Sequence, residues 1–167
     1  MKLGRVLWCA LTLGGVGLVG CGSLGGAPTP LAGDLLGAPA TLNLGGQVLR
    51  LTAAPQVRRE LDRLSVRVSV EASAPAARTA ALPLPALKVT GLYVVTASGL
   101  WHSPRLNDVT AAGNCLARVC AWGSGDAGGL AAGDDVRVIA QLRDAGGRTH
   151  WLRDARSRNV AAQPLIR

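Results

Sequence analysis

Phenylalanine is absent from this chain of 167 residues, which also has a single tyrosine and a single methionine. Four tryptophans and that tyrosine are its only aromatic side chains, so a hydrophobic core built from this sequence must be mainly aliphatic. Aromatic side chains usually contribute much of the buried area of a core. We therefore expect the tryptophans to supply bulk to the core before they serve any other role.

Recognisable catalytic and metal-binding patterns are also absent. No G-x-S-x-G, H-x-x-x-H or H-E-x-x-H sequence occurs, and no G-K-[ST] follows the glycine-rich residues 123–129. Ser124 lies in that segment, which we predict to be a loop, and His102 and His150 are the only histidines. The sequence therefore predicts no catalytic residue, no metal site and no cofactor, and we expect a protein that is not an enzyme. An enzyme of an unrecognised type is the alternative.

Acidic side chains are few, and lysine is almost missing after the N-terminus. Without Lys2 and Arg5, 16 basic and 10 acidic residues remain, a net charge of +6, and Lys88 is the only lysine among them. Abundant alanine and glycine, with arginine in place of lysine, are typical of a GC-rich genome. The positive balance is therefore weak evidence for a polyanionic partner, and we predict no nucleic-acid partner.

The first 20 residues have the composition of an export signal. Lys2 and Arg5 precede an uncharged run from Val6 to Gly20 that is rich in leucine, valine, glycine and alanine. A membrane-spanning helix needs about 20 apolar residues, so this run is too short to span a bilayer comfortably. We interpret residues 1–20 as a signal helix that is removed during export.

The run ends in Leu18-Val19-Gly20-Cys21, which resembles the lipobox of bacterial lipoproteins. The resemblance covers only this N-terminal segment. It implies transfer of diacylglycerol to the Cys21 thiol, cleavage between Gly20 and Cys21, and a membrane anchor of acyl chains such as palmitate. Aspartate after the cysteine favours retention in the inner membrane in enterobacterial lipoproteins. Because Gly22 follows here, we expect the outer membrane, with the domain facing the periplasm or the exterior.

The rest of the chain has room for one domain. Residues 21–40 are rich in glycine, proline and alanine and carry one charge, at Asp34, so we expect a flexible tether. We place the folded domain over 41–160 and a C-terminal tail over 161–167.

Two of the four cysteines remain for the domain. Cys9 leaves with the signal and Cys21 takes the lipid, so Cys115 and Cys120 form the remaining pair. Exported proteins fold in oxidising compartments, which favour a disulfide between these two residues. Free thiols and a metal site are the alternatives, although zinc sites usually need more closely spaced cysteines and further ligands.

The domain sequence has the two-residue period of β-strands. Residues 64–71 alternate strictly between apolar and polar side chains, and residues 136–143 repeat the pattern with Ile139 as the exception. The glycine-containing residues 144–147 form a turn to a returning strand. We predict about seven short strands over residues 41–154, with one helical turn within 58–64. The candidate segments are 41–44, 47–52, 64–71, 87–96, 100–102, 116–122, 136–143 and 149–153.

Short strands joined by turn signals favour an all-β fold, and no segment has a long helical period. The strand–turn–strand over 136–152 resembles the last hairpin of immunoglobulin-like and fibronectin-like modules. The resemblance implies a single small antiparallel β-sandwich of the immunoglobulin-like class. The Cys…Trp…Cys spacing of antibody domains is absent, because the two cysteines lie close together in the sequence.

Two groups of side chains are candidates for binding. Trp101 and Trp122, with Tyr93, would form a ligand platform if they lie near one end of the sandwich, and core packing is the alternative. Arginines concentrate near the C-terminus, where they are candidates for binding lipid headgroups, lipopolysaccharide or another polyanion, with an ordinary solvated face as the alternative. These are Arg143, Arg148, Arg153, Arg156 and Arg158.

The sequence thus predicts a membrane-anchored envelope lipoprotein whose domain is a non-catalytic binding or structural module. Its partners would be the membrane, through lipid on Cys21, and a protein or glycan of the envelope. An anion-binding envelope protein that uses the C-terminal arginines is the second hypothesis.

Overall fold

A computed structural model describes residues 30–73, 84–109, 115 and 118–164. The predicted signal, the lipobox with Gly20 and Cys21, and the first part of the predicted tether lie outside the described residues. Within the described ranges, no helix has both the length and the apolar character needed to cross a membrane.

The described chain is mostly β-strand. Helix α1 covers Ala32–Leu36, and a 3₁₀ turn covers Arg59–Leu61, inside the segment where one helical turn was predicted. The strands are β1 (Leu42–Leu44), β2 (Gln47–Arg58), β3 (Arg63–Ser73), β4 (Leu87–Val95), β5 (Leu100–His102), β6 (Arg105–Asp108), β7 (Val119–Asp126), β8 (Asp135–Asp144), β9 (Thr149–Arg153), β10 (Arg158–Asn159) and β11 (Ala161–Ala162).

The strands form two sheets. The first has the order β1-β2-β3-β7-β6, and β11 pairs with β2 in parallel. In the second sheet, β4 lies between β5 and β8. The other edge of β8 pairs with two short strands, with β9 along residues 139–143 and with β10 at residues 135–136. Apart from β11 with β2, all these strand pairs are antiparallel.

The strand order is that of an immunoglobulin-like sandwich. If β2 to β9 are lettered A, B, C, C′, D, E, F and G in chain order, the first sheet reads A-B-E-D and the second reads C′-C-F-G. The predicted all-β sandwich is therefore confirmed. It has more strands than the seven or so expected, because β6 and the short C-terminal strands β10 and β11 were not predicted.

An aliphatic core fills the space between the sheets. Its buried side chains come from both sheets, and Trp101 packs against them from β5. The alternation in β3 fits this arrangement, because its apolar residues point inward and its polar residues point outward. The fully buried members include Leu49, Leu64, Val66, Val70, Leu92, Val94, Val138, Ala140, Leu142 and Leu152.

A smaller apolar cluster covers the outer face of the second sheet. Ile139, the exception to the alternation of β8, is fully buried in this cluster. Tyr93 and Val95 are buried beside it. Helix α1 lies over this cluster and contributes Leu35, which is 2% exposed. Ile139 is apolar because α1 covers a face that would otherwise meet solvent.

Residues 30–40 belong to the folded domain, which differs from the tether predicted over 21–40. Leu35 and Ala38 are buried, and Arg153 donates its backbone N–H to the Pro39 carbonyl at 2.9 Å and its Nε to the Ala38 carbonyl at 3.1 Å. Glycine and proline content predicts flexibility, but these apolar and backbone contacts fix the segment. At the other end, β11 brings the first residues of the predicted tail into the first sheet.

Asp154 joins the two sheets at one edge of the sandwich. Its backbone pairs in parallel with Leu51 of β2, and its N–H donates to the Val138 carbonyl of β8 at 2.9 Å. The residue is 1% exposed, and its side chain accepts the Ala53 N–H at 3.0 Å. The residue therefore contacts both sheets through main chain and side chain together.

Candidate functional site

The outward-pointing side chains of the first sheet form a polar surface with one tryptophan near its centre. We call it the outer face of the first sheet. These side chains point outward because their neighbours along each strand fill the core. They include Thr52, Ala54 and Gln56 from β2, Ser65, Arg67 and Ser69 from β3, and Cys120, Trp122 and Ser124 from β7.

Trp122 and Arg67 lie side by side in the middle of this face. The strand register puts them directly opposite each other, with Ala54 on the far side of Arg67 and Asn107 on the far side of Trp122. Directly opposite residues on one face have Cβ atoms about 4.5–5.5 Å apart. The indole and the guanidinium are therefore within reach of one bound group.

A recess of about 470 Å³ lies on one side of this pair. Thr52 and Ala54 of β2, Ser69 of β3 and the two cysteines of the domain line it together with Trp122 and Arg67. Sites for small molecules typically measure about 300–1,000 Å³ and combine apolar walls with a few polar groups. This recess has both properties.

A second recess, of about 310 Å³, lies on the other side and shares Trp122 and Arg67. Arg58 and Arg63, which are cross-strand partners of each other, line it with Arg67. The remaining lining side chains are Gln56, Leu61, Ser65, Ser124 and Gln163, so the recess has three arginines and no carboxylate. Within the described part of the chain, none of the three arginines forms an ion pair. The positive charge here is available to a ligand.

Carboxylates lie toward the ends of the outer face rather than at its centre. Glu71 pairs with Arg118 at 3.3 Å at one end, and both side chains are slightly less than half exposed. Asp126 lies opposite Arg63 at the other end and is exposed. Neither lines the two recesses. The centre of the face is therefore positive.

Cys115 and Cys120 lie at disulfide-bonding distance, with their sulfur atoms 2.17 Å and their Cα atoms 6.0 Å apart. The structure therefore places the predicted pair together, at the border of the first recess. Across the described ranges, no group of three histidine, cysteine or acidic side chains is placed to hold a metal ion.

The aromatic residues proposed as a ligand platform lie on three different surfaces. Trp122 is on the outer face of the first sheet. Trp101 lies between the sheets, where its Nε1 donates to the Asp126 carbonyl at 2.8 Å. Tyr93 is buried on the second sheet and stacks on His102, with ring centroids 4.6 Å apart. Of the three, Trp122 alone lines the recesses described above.

Asp144 organises the turn between β8 and β9. It accepts the backbone N–H and the Nε of Arg148, both at 2.9 Å, and its Oδ2 lies 3.0 Å from His150 Nε2. The hydrogen bond from His150 and those from Arg148 hold the pKa of the Asp144 carboxyl well below its ordinary value. Arg148 is thus engaged within the turn, and the exposed Arg143 lies nearby on β8.

The remaining C-terminal arginines lie at the other end of β9 and just after it. Arg158 forms two hydrogen bonds with the buried Asp154 carboxylate, at 2.7 and 3.2 Å. Arg153 donates to the Ala38 carbonyl, and Arg156 donates its backbone N–H to Asp154 at 3.1 Å. The five arginines therefore lie in two separate places. The side chains of Arg148, Arg153 and Arg158 already donate hydrogen bonds to acceptors within the chain.

The structure also separates Ser124 from the two histidines of the chain. Ser124 is on the outer face of the first sheet, His102 is on the second sheet against Tyr93, and His150 is beside Asp144. No nucleophile and base among these three lie together.

The chain matches no known protein family, no curated protein and no solved structure at a significant level.

Proposed function

We propose that this protein is a lipid-anchored module of the bacterial envelope that binds a partner through the outer face of its first sheet, without catalysing a reaction. The observation that carries the proposal is the pair of recesses that meet at Trp122 and Arg67. A partly buried indole beside unpaired guanidinium groups is typical of a binding surface. The site lies on paired strands, so the strand register holds its side chains in place.

The proposed location rests on Leu18-Val19-Gly20-Cys21 and its flanking residues. Each buried CH₂ of an attached acyl chain contributes about 0.8 kcal/mol to membrane binding, so two or more chains give stable anchoring. The chain between Cys21 and the packed Leu35 then links the anchor to the domain. We propose the outer membrane where the organism has one, because Gly22 follows the cysteine.

Lipid attachment is tested by growing cells with an alkyne analogue of palmitate and tagging the purified chain. We expect the wild-type chain to be labelled and Cys21→Ser to be unlabelled, because Cys21 supplies the accepting thiol. Cys9→Ser is the matched control and should keep the label, since Cys9 lies in the segment that is removed. Labelling of Cys21→Ser at the wild-type level would show that Cys21 is not the anchor.

A further inference from the structure

The outer face of the first sheet carries many short hydrogen-bonding side chains. Four hydroxyls and two amides line the two recesses, and each can both donate and accept. They surround one indole, a flat apolar surface with a polar edge. Sugars present the matching groups, with apolar C–H faces on their rings and hydroxyls around the rim. The hydrogen-bonding residues are Thr52, Ser65, Ser69, Ser124, Gln56 and Gln163.

The charge of the face favours a sugar that carries an acidic group. Arg67 lies between the two recesses, and Arg58 and Arg63 line the second one. Guanidinium groups bind carboxylate and phosphate through two parallel hydrogen bonds. Because neither recess has a carboxylate in its lining, an anionic ligand meets no like charge there.

The position of the face in the sheet disfavours a peptide. An extended peptide binds by adding to a free strand edge, whereas a helical peptide needs an apolar groove. At Trp122 and Arg67, β3 is paired on both sides by β2 and β7, and β7 on both sides by β3 and β6. No backbone edge is free there, and the second recess is lined mainly by arginine, hydroxyl and amide groups.

We infer that this face binds an acidic oligosaccharide, with one sugar ring against Trp122 and its carboxylate or phosphate on Arg67. The recesses on the two sides of this pair would bind the neighbouring sugar rings. Arg58 and Arg63 would bind a second acidic group of the oligosaccharide. This inference depends on the proposed binding function and names its ligand class.

The test uses the full chain purified in detergent and an oligogalacturonate as the acidic sugar. Its methyl ester has the same rings without the charge. Calorimetry is expected to show binding of the acid that is about tenfold or more tighter than that of the ester, since a charge-assisted hydrogen bond is the stronger kind. The affinity should also fall as salt is raised, because the arginines are solvent-accessible.

Variants identify the face that binds. Arg67→Ala should weaken binding of the oligogalacturonate about tenfold or more, as loss of a hydrogen bond to a charged group does. Trp122→Leu should weaken it as well, through loss of the stacking surface. Lys88→Ala removes the same charge from an exposed position on the second sheet and should leave the affinity unchanged. Circular dichroism of each variant verifies that the sheets are intact.

Three results would overturn the inference. The first is equal binding of the acid and its ester, or no binding of either. The second is wild-type affinity in folded Arg67→Ala. The third is binding of poly-glutamate, or binding of phosphatidylglycerol vesicles by the unlipidated Cys21→Ser chain, that is as tight as that of the sugar and unaffected by Trp122→Leu, which would indicate an acidic peptide or a membrane surface. Lipid labelling at Cys21 is independent of all three, so failure of the sugar inference is distinct from failure of the proposed anchor.

Discussion

Replacement of Asp154 by alanine is expected to lower the free energy of unfolding by about 3–5 kcal/mol, because an unsatisfied buried N–H costs about 1–3 kcal/mol and lost hydrogen bonds to a charged group cost about 1.5–3 kcal/mol more. Asp154 is 1% exposed, and its carboxylate accepts hydrogen bonds from Ala53, Arg156 and Arg158. Without it, the Ala53 N–H loses its partner and the guanidinium of Arg158 is left without its counter-charge. Urea unfolding followed by tryptophan fluorescence measures the change.

Asp135→Ala is the matched control for this experiment. Asp135 begins β8 and is exposed, so its loss should change the free energy of unfolding by no more than about 0.5 kcal/mol. Asp154→Asn should fall between the two, because it keeps an acceptor for Ala53 but leaves the charge of Arg158 unmatched. A loss below about 1 kcal/mol for Asp154→Ala would be an ordinary hydrogen-bond effect and would show that Asp154 does not hold the sheets together.

Replacement of Gly123 by alanine is expected to destabilise the domain by about 1–3 kcal/mol, the usual range for overpacking a core. A Cβ at this position would lie 2.6 Å from Ser103 Oγ, 2.8 Å from Leu92 Cδ2 and 2.9 Å from Ser103 Cβ. Ser103 is buried and Leu92 is fully buried, so neither can move away without disturbing the packing between the sheets. Thermal unfolding and urea unfolding both report the change.

Gly33→Ala provides the control for the glycine substitution. No atom lies within 4 Å of the added Cβ, and Gly33 is in helix α1. Alanine favours a helix over glycine by about 1 kcal/mol, so this variant should be as stable as the wild type or slightly more stable. If Gly123→Ala were equally harmless, the close approach of the strands at Gly123 would not be a requirement of the fold.

The predictable strands are those in which apolar and polar residues alternate, because this alternation indicates that one face of the strand is buried. Residues 64–71 are part of β3, and the exception at Ile139 is explained by helix α1, which buries the other face of β8. A period of two shows which side chains share a face, but it does not show what covers the second face. The contribution of α1 was therefore not predictable from the strand pattern.

The glycine-rich residues 123–126 were predicted to be a loop, and that prediction is wrong. They form the second half of β7, where Gly123 and Gly125 let the segment around Ser103 and Pro104 approach the backbone closely. Composition alone favours a loop because glycine is flexible. Glycine in a strand marks instead a place where another chain segment lies close, and only the tertiary structure identifies that segment.

The candidate site was predictable in part. Trp122 was singled out as an aromatic, and the alternation of residues 64–71 already placed Arg67 on the outward side of its strand. Trp122 and Arg67 lie side by side only because β3 pairs with β7, and these two strands are far apart in the sequence. The concentration of C-terminal arginines was visible, but the partner of Arg158, the buried Asp154, was not. Sequence composition counts charges without showing which of them are already paired.

Photo-crosslinking in intact cells tests most directly whether the outer face of the first sheet is the functional surface. A benzophenone amino acid at Ser69, which lines the first recess, is compared with the same amino acid at Lys88 on the second sheet. Both are placed in the full-length chain with Cys21 retained, and adducts are detected by mobility and mass. We predict light-dependent adducts from position 69 and few or none from position 88. Adducts from position 88 alone, or equal yields from both, would contradict the proposal.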